Sequence, residues 1–179
     1  MPDLLTHYIS SYLISKTLLS PRYAAILALV GLIPDLDALI RIHRSLTHSI
    51  PLALAASAPM LVVMYLVKRR YLGIATLATV LYALHLVLDT FTSPTPILWP
   101  INIQSYSLTI RLDGMLSDSG IRLIPNIVVN TRVSDFTRRA VLEGPLITDV
   151  GVVIAIATVV ALTTEYLIKR FSGRYSNGF

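Results

Sequence analysis

The chain has 179 residues, of which 54% are hydrophobic and only 14% charged, against about 25% charged in an average soluble domain. Together with a mean hydropathy of +0.69, that excludes an ordinary soluble domain and a disordered chain and points to a membrane protein. No cysteine is present, so a disulfide framework, a thiolate metal site and a cysteine nucleophile are excluded. The net charge of +5 suits helix ends at a membrane, and no basic, aromatic-interleaved groove accompanies it, so nucleic acid is not expected as a partner.

In chain order, residues 4–19 are largely apolar but contain His7, Lys16 and several serines, and 24–33 form a run of only ten residues. Ser20-Pro21 separates the two, because proline cannot continue a helix and readily starts one. A pair of short helices, partly inserted or packed within the bundle, is expected. Asp3 stands where a signal peptide would have a basic region, so this segment is read as mature structure. Residues 50–67 carry no formal charge and end at Lys68-Arg69-Arg70; 72–91 contain only His85 and Asp89 as ionisable groups. Residues 150–164 are again uncharged and continue through Tyr166 to Lys169-Arg170. At a rise of about 1.5 Å per residue, 18–20 residues cover roughly 27–30 Å, the hydrocarbon thickness of a bilayer.

Residues 92–147 form the long segment outside the membrane. Three prolines in 92–100 break the helix, and 104–112 and 121–132 are rich in β-branched residues and alternate in part. Asp113-Gly114 and Ser119-Gly120 are the turn signals. A short helix over 134–143, capped by Ser134 or Asp135, should follow. The expected fold is an all-α membrane helical bundle of three clear spans plus two short N-terminal helices. It forms a single membrane domain over 1–179, with a small β-containing extramembrane insertion at 92–147.

Folding the spans in order puts Lys16, Arg22, Lys68, Arg69, Arg70, Lys169, Arg170 and Arg174 at one face, in short connections. Dense basic turns mark the cytoplasmic side, whereas long loops count for less. The insertion is then extracytoplasmic, in an integral protein of the cell membrane.

The remaining polar residues gather at the opposite face: His7, Pro34-Asp35-Leu36-Asp37, the run His43-Arg44-Ser45-Leu46-Thr47-His48-Ser49, and His85 with Asp89. All four histidines belong to this set. The spacing of His85 and Asp89 places both on one helix face, about 5–6 Å apart, where they could share a metal ion, flank two, or make an interhelical hydrogen bond. Ionisable groups within a span are costly and usually mark function. Taken singly, Asp35 and Asp37 also fit a capped turn, and His43 and His48 interfacial positions without a role. Imidazoles and carboxylates from four segments at one depth suit a divalent ion, zinc first, with manganese and iron as alternatives.

The order His, Pro-Asp-x-Asp, His-Arg-x-x-Thr-His-Ser, His-x-x-x-Asp resembles the YdjM-type family, read as membrane-bound metal-dependent hydrolases. Here the motifs are His7, Pro34-Asp35-Leu36-Asp37, His43 to Ser49, and His85-Leu86-Val87-Leu88-Asp89, and Leu98-Trp99-Pro100 is similar to the family's continuation. The likeness covers roughly residues 1–100. Ser45 stands where the family commonly has glycine, and Pro94-Thr95 where a glycine-containing turn is usual. The pattern is more remotely similar to zinc-dependent phospholipase C and the fungal single-strand nucleases. That likeness implies His7, Asp35, His48, His85 and Asp89 as metal ligands, with Asp89 as the natural bridge between two ions.

At such a site Asp37 could add a ligand or accept a proton from the attacking water, and Arg44 could pair with a phosphate oxygen. Thr47 and Ser49 would orient His48. The function so implied is hydrolysis of a phosphoester in a lipid or other membrane-presented substrate. A non-catalytic metal-binding membrane protein, whether a structural site, sensor or carrier, is the alternative.

Overall fold

The computed structural model describes residues 3–42, 44, 46–118, 120–138, 140–141 and 145–175. Asp3 starts the first helix, α1 (Leu4–Lys16): its carboxylate accepts a hydrogen bond from the Thr6 amide at 2.6 Å, satisfying one of the free N–H groups of the first turn. Pro21 opens α2 (Pro21–Ala28), which tightens into a 3₁₀ turn at Leu29–Leu32. A second 3₁₀ segment, Pro34–Ile40, follows at an angle of 50°. Pro34 sits at the break, and Arg41, in the left-handed region with φ 62°, ends the segment. The two short N-terminal helices are thus present, and α2 with its bent extension is long and apolar enough to make a broken fourth span.

A short turn, Leu46–His48, leads into α3 (Ile50–Val67), capped by Ser49, whose hydroxyl accepts from the Leu52 amide. After Arg69–Tyr71 the chain returns as α4 (Leu72–Thr90), and α5 (Asp149–Tyr175) closes the bundle. These last three helices are the three expected spans, each long and apolar enough to cross a membrane.

Two contacts 13 residues apart in the chain set the depth of α1. Asp3 accepts from the backbone and hydroxyl of Thr148 at the start of α5, and Lys16 pairs with Glu165 further along α5. Helices α1 and α5 therefore run side by side in the same direction, and α1 reaches about 20 Å into the bundle. The distribution of side chains is inverted relative to a soluble protein. Leu54, Val63, Leu66, Val153 and Ile156 face outward, whereas His7, Arg44, His48, His85 and Asp89 are buried. An apolar solvent around the helices accounts for both halves of that pattern.

The insertion contains an antiparallel hairpin, β1 (Gln104–Ser117) paired with β2 (Gly120–Val133). It is longer than the sequence suggested. Asp113 and Gly114 do not turn the chain but pair with Ile124 and Leu123, and the reversal falls after Ser117, with Gly120 at φ 113°. The left-handed position that only glycine adopts freely is thus the second signal, not the first. The short helix expected over 134–143 is not formed among the described residues of that stretch. Ser134 instead continues the hairpin edge, its amide bonding to the Ile103 carbonyl, and Asp135 turns back onto the Thr137 amide and hydroxyl.

Candidate metal centre

The polar clusters meet at the end of the bundle where α1, α3 and α5 begin and α4 ends. One turn of α4 separates His85 from Asp89, and both are buried. The Leu46–His48 turn brings in His48, and the bent segment after Pro34 brings in Asp35 and Asp37. His48 Nε2 lies 3.4 Å from His85 Nε2, 3.4 Å from Asp89 Oδ2 and 3.7 Å from Asp35 Oδ1. His85 Nε2 is 3.5 Å from the same Asp35 oxygen. One donor atom from each of Asp35, His48, His85 and Asp89 lies within 4.8 Å of the other three.

Those spacings have a physical meaning. A tetrahedral ion with bonds of about 2.0–2.1 Å holds its ligand atoms about 3.3–3.4 Å apart, since a tetrahedral edge is roughly 1.63 bond lengths. The observed separations fall near that edge and outside the roughly 2.7–3.2 Å of an ordinary N–H···O hydrogen bond. The far nitrogens of both rings are occupied. His85 Nδ1 lies 2.7 Å from the Gly31 carbonyl, which can only accept, so Nδ1 carries the proton and Nε2 turns a lone pair inward. His48 Nδ1 is 3.2 Å from Asp37 Oδ2, which also accepts from the Thr47 hydroxyl at 2.8 Å. Both imidazoles could thus serve as metal ligands, with acceptors behind them to hold the rings.

Charge shows what a cation would have to replace. Burial opposes a positive His48, but Asp35, Asp37 and Asp89 outweigh it and raise the group to about 10, so a cation bound at Nε2 must displace a proton from that ring. With both imidazoles neutral, the carboxylates of Asp35, Asp37 and Asp89 against the Arg44 guanidinium leave two negative charges for a divalent cation to balance.

Not every expected residue occupies the same place. His7 stacks on His85 with ring centroids 3.8 Å apart, and its Nε2 lies 3.2 Å from Asp89 Oδ1. It therefore borders the four-donor group through Asp89, whose other oxygen faces His48 and, at 3.0 Å, Arg44 Nη2. Asp37 lies behind His48, on the side of the ring away from the donor group. Thr47 does reach His48 Nδ1, at 3.1 Å, but Ser49 does not orient that ring: it caps α3 and donates to the Trp99 carbonyl. His43 and Ser45 lie outside the described residues.

Arg44 is the unusual member. Only 8% exposed, with φ 58°, it approaches Asp89, yet none of its three guanidinium nitrogens is in hydrogen-bonding geometry with a partner among the described residues. Beside the site, a groove of about 490 Å³ runs between α3 and α4, lined by Val30, Ile33, Leu52, Met60, Thr47 and Tyr82 among others. The Tyr82 hydroxyl donates to the Thr47 carbonyl at 2.5 Å and joins the groove wall to the His48 turn.

The sequence offered no direct sign of the Gly31 carbonyl or of the Asp3–Thr148 link. A lone glycine in the apolar run 24–33 is a hint of close backbone approach, and Asp3 three residues before Thr6 is an N-cap pattern.

No curated protein and no solved structure matches the chain. The family model for the YdjM inner membrane protein matches residues 1–168. Since that match takes in the bundle and the donor group together, the chain belongs to the YdjM inner membrane protein family.

Proposed function

We propose that this protein is a membrane-bound metal-dependent hydrolase that cleaves a phosphoester of a lipid held in the bilayer, at a site on the extracytoplasmic face. The observation that carries the reading is the inward pair of Nε2 atoms with two carboxylate oxygens around them, at spacings that fit a tetrahedral zinc-like ion. Asp35, His48, His85 and Asp89 would hold the ion, with His7 as a further ligand on the Asp89 side. A divalent ion in such a site polarises a phosphoryl oxygen and lowers the pKa of water from 15.7 to about 7.

The chain's own residues supply the rest. Gly31 and Asp37 fix the two imidazoles. Asp37 thus acts by positioning His48, since its carboxylate faces Nδ1. Arg44, buried beside Asp89 with no hydrogen-bond partner among the described residues, would take the anionic oxygens of the substrate in its planar fork. The apolar groove beginning at Thr47 favours a lipid over a soluble phosphoester, because an acyl chain could lie in it while the headgroup reaches the ion.

A bracing ion without catalysis is the competing reading, favoured by the tight burial of the donors, of which only Asp35 is partly open. The experiment is metal analysis and turnover of the protein in lipid nanodiscs, against phosphomonoester and phosphodiester lipids. His85→Ala should lose both metal and turnover, Arg44→Ala should keep metal and lose turnover, and Asp37→Asn, which loosens His48, should weaken metal binding about 10–100-fold. Unchanged metal content in His85→Ala refutes the site. An unfolding transition lowered in Asp37→Asn, with no turnover in the metal-loaded wild type, establishes the bracing role instead.

A further inference from the structure

The hairpin has two unlike faces. In an antiparallel pair directly opposed residues share a face, and alternate pairs point the same way. One face carries Leu108 with Val129, Ile110 with Ile127, Leu112 with Pro125, Gly114 with Leu123, and Leu116 with Ile121. The other is mostly polar, with Ser105 opposite Arg132, Ser107 opposite Asn130, Thr109 opposite Val128, Arg111 opposite Asn126, Asp113 opposite Ile124, and Met115 opposite Arg122. Beyond Gln104–Val133 and Tyr106–Thr131 at its root the first face is apolar to the tip, yet Ile110, Leu112, Leu116, Ile121, Leu123 and Ile127 are all exposed. A two-stranded ribbon of this kind is at best marginal alone in water. Something covers that face.

We propose that it is the bilayer surface: the hairpin lies along the membrane at the metal-site end of the bundle, apolar face in the lipid and arginine face toward the headgroups and water. Three observations support this occupant. The root of the hairpin is fixed beside the end of α4, through the paired backbones of Thr95 and Tyr106, so the ribbon leaves the bundle where a span ends. At that root Trp99 and Phe136 pack edge to face, 5.8 Å between centroids, and Ile101 and Ile103 are exposed; indole rings gather at the membrane–water boundary. The polar face bears three arginines, Arg111, Arg122 and Arg132, against one aspartate, Asp113, the arrangement of an amphipathic element lying on anionic lipid.

A second copy fits the face less well. Fourteen residues of strand at about 3.4 Å each, and two strands each about 4.8 Å wide, give a face of roughly 460 Å². Two such faces bury about 920 Å², short of the roughly 1,200–2,000 Å² of a stable interface.

The protein has no native cysteine, so single labels are unambiguous. Ile127→Cys, on the apolar face, and Asn126→Cys, its neighbour on the polar face, would each carry an environment-sensitive fluorophore. The full chain is reconstituted in phosphatidylcholine–phosphatidylglycerol vesicles with and without doxyl-labelled lipid. A blue-shifted emission and loss of fluorescence to the doxyl lipid are expected at 127 and not at 126. Val129→Cys and Asn130→Cys form a second pair, so that one poorly folding variant does not decide the matter. Equal, water-like emission at both faces overturns the proposal. So does protection at 127 that vanishes on dilution of protein into excess lipid and is accompanied by energy transfer between copies, the signature of a second copy.

Discussion

Gly31→Ala should damage the candidate metal centre without touching any of its four donor residues. A Cβ at residue 31 would overlap the Ser11 hydroxyl and lie 3.0 Å from the Ser11 Cβ, on the buried side of α1. Such an approach cannot be absorbed by a flexible chain end, so the 3₁₀ turn Leu29–Leu32 must move away from α1. The Gly31 carbonyl moves with it, and that carbonyl holds His85 Nδ1 at 2.7 Å. Overpacking of a fitted contact costs about 1–3 kcal/mol, and loss of an acceptor behind a metal-bound histidine lowers metal affinity about 10–100-fold. Competition against a chromophoric chelator, on the detergent-purified protein, reads the affinity, and thermal unfolding with and without metal reads the stability. Adding Ser11→Gly removes both contacts and should restore the affinity, while stability stays about 1 kcal/mol low because glycine weakens the interior of α1. Ser11→Ala keeps the 3.0 Å contact and should rescue only in part. Wild-type affinity in Gly31→Ala, or a loss that Ser11→Gly fails to reverse, refutes the link from α1 through Gly31 to His85.

Arg44→Ala should leave metal content unchanged and reduce kcat/KM for a lipid phosphoester about 10–100-fold, the worth of roughly 1.5–3 kcal/mol for a hydrogen bond to a charged group; loss of metal instead would make Arg44 part of the fold rather than of substrate binding. Acid should loosen α1 from α5. Burial raises the Asp3 carboxyl, but hydrogen bonds from the Thr148 hydroxyl, the Thr6 amide and the Thr148 amide outweigh it, so the folded group sits below 3.8. A lowered folded pKa gives stability that is complete above 3.8 and is lost as pH falls through the folded value. Melting curves from pH 6 downward should therefore show a component that disappears below about pH 4 in the wild type and is absent from Asp3→Asn; parallel curves would show that Asp3 does not titrate with folding. In intact cells, an impermeant maleimide should label Ser107→Cys and spare Arg170→Cys; the reverse pattern inverts the orientation.

The sequence made the site legible because a membrane bundle leaves few places for polar residues. Each histidine or aspartate within an apolar run had to be buried, and helical order then brought them to one end. His85 and Asp89 needed only the i, i+4 geometry of α4 to be placed together. The hairpin was visible in its alternation, but Asp113-Gly114 carried the same turn chemistry as Ser119-Gly120, and only the pairing of Asp113 with Ile124 separates them. Local pattern could not reach the distinction between a ligand and its support. Asp35 and Asp37 are two residues apart, yet one faces Nε2 of His48 and the other Nδ1, because the 3₁₀ turn after Pro34 aims them differently. His7 is harder still. Whether it enters the donor group or braces Asp89 depends on how deeply α1 sits, and that depth is set by Asp3 meeting Thr148, 145 residues away in sequence. No periodicity within α1 contains that contact, so the roles divide where the chain's longest-range hydrogen bonds begin to matter.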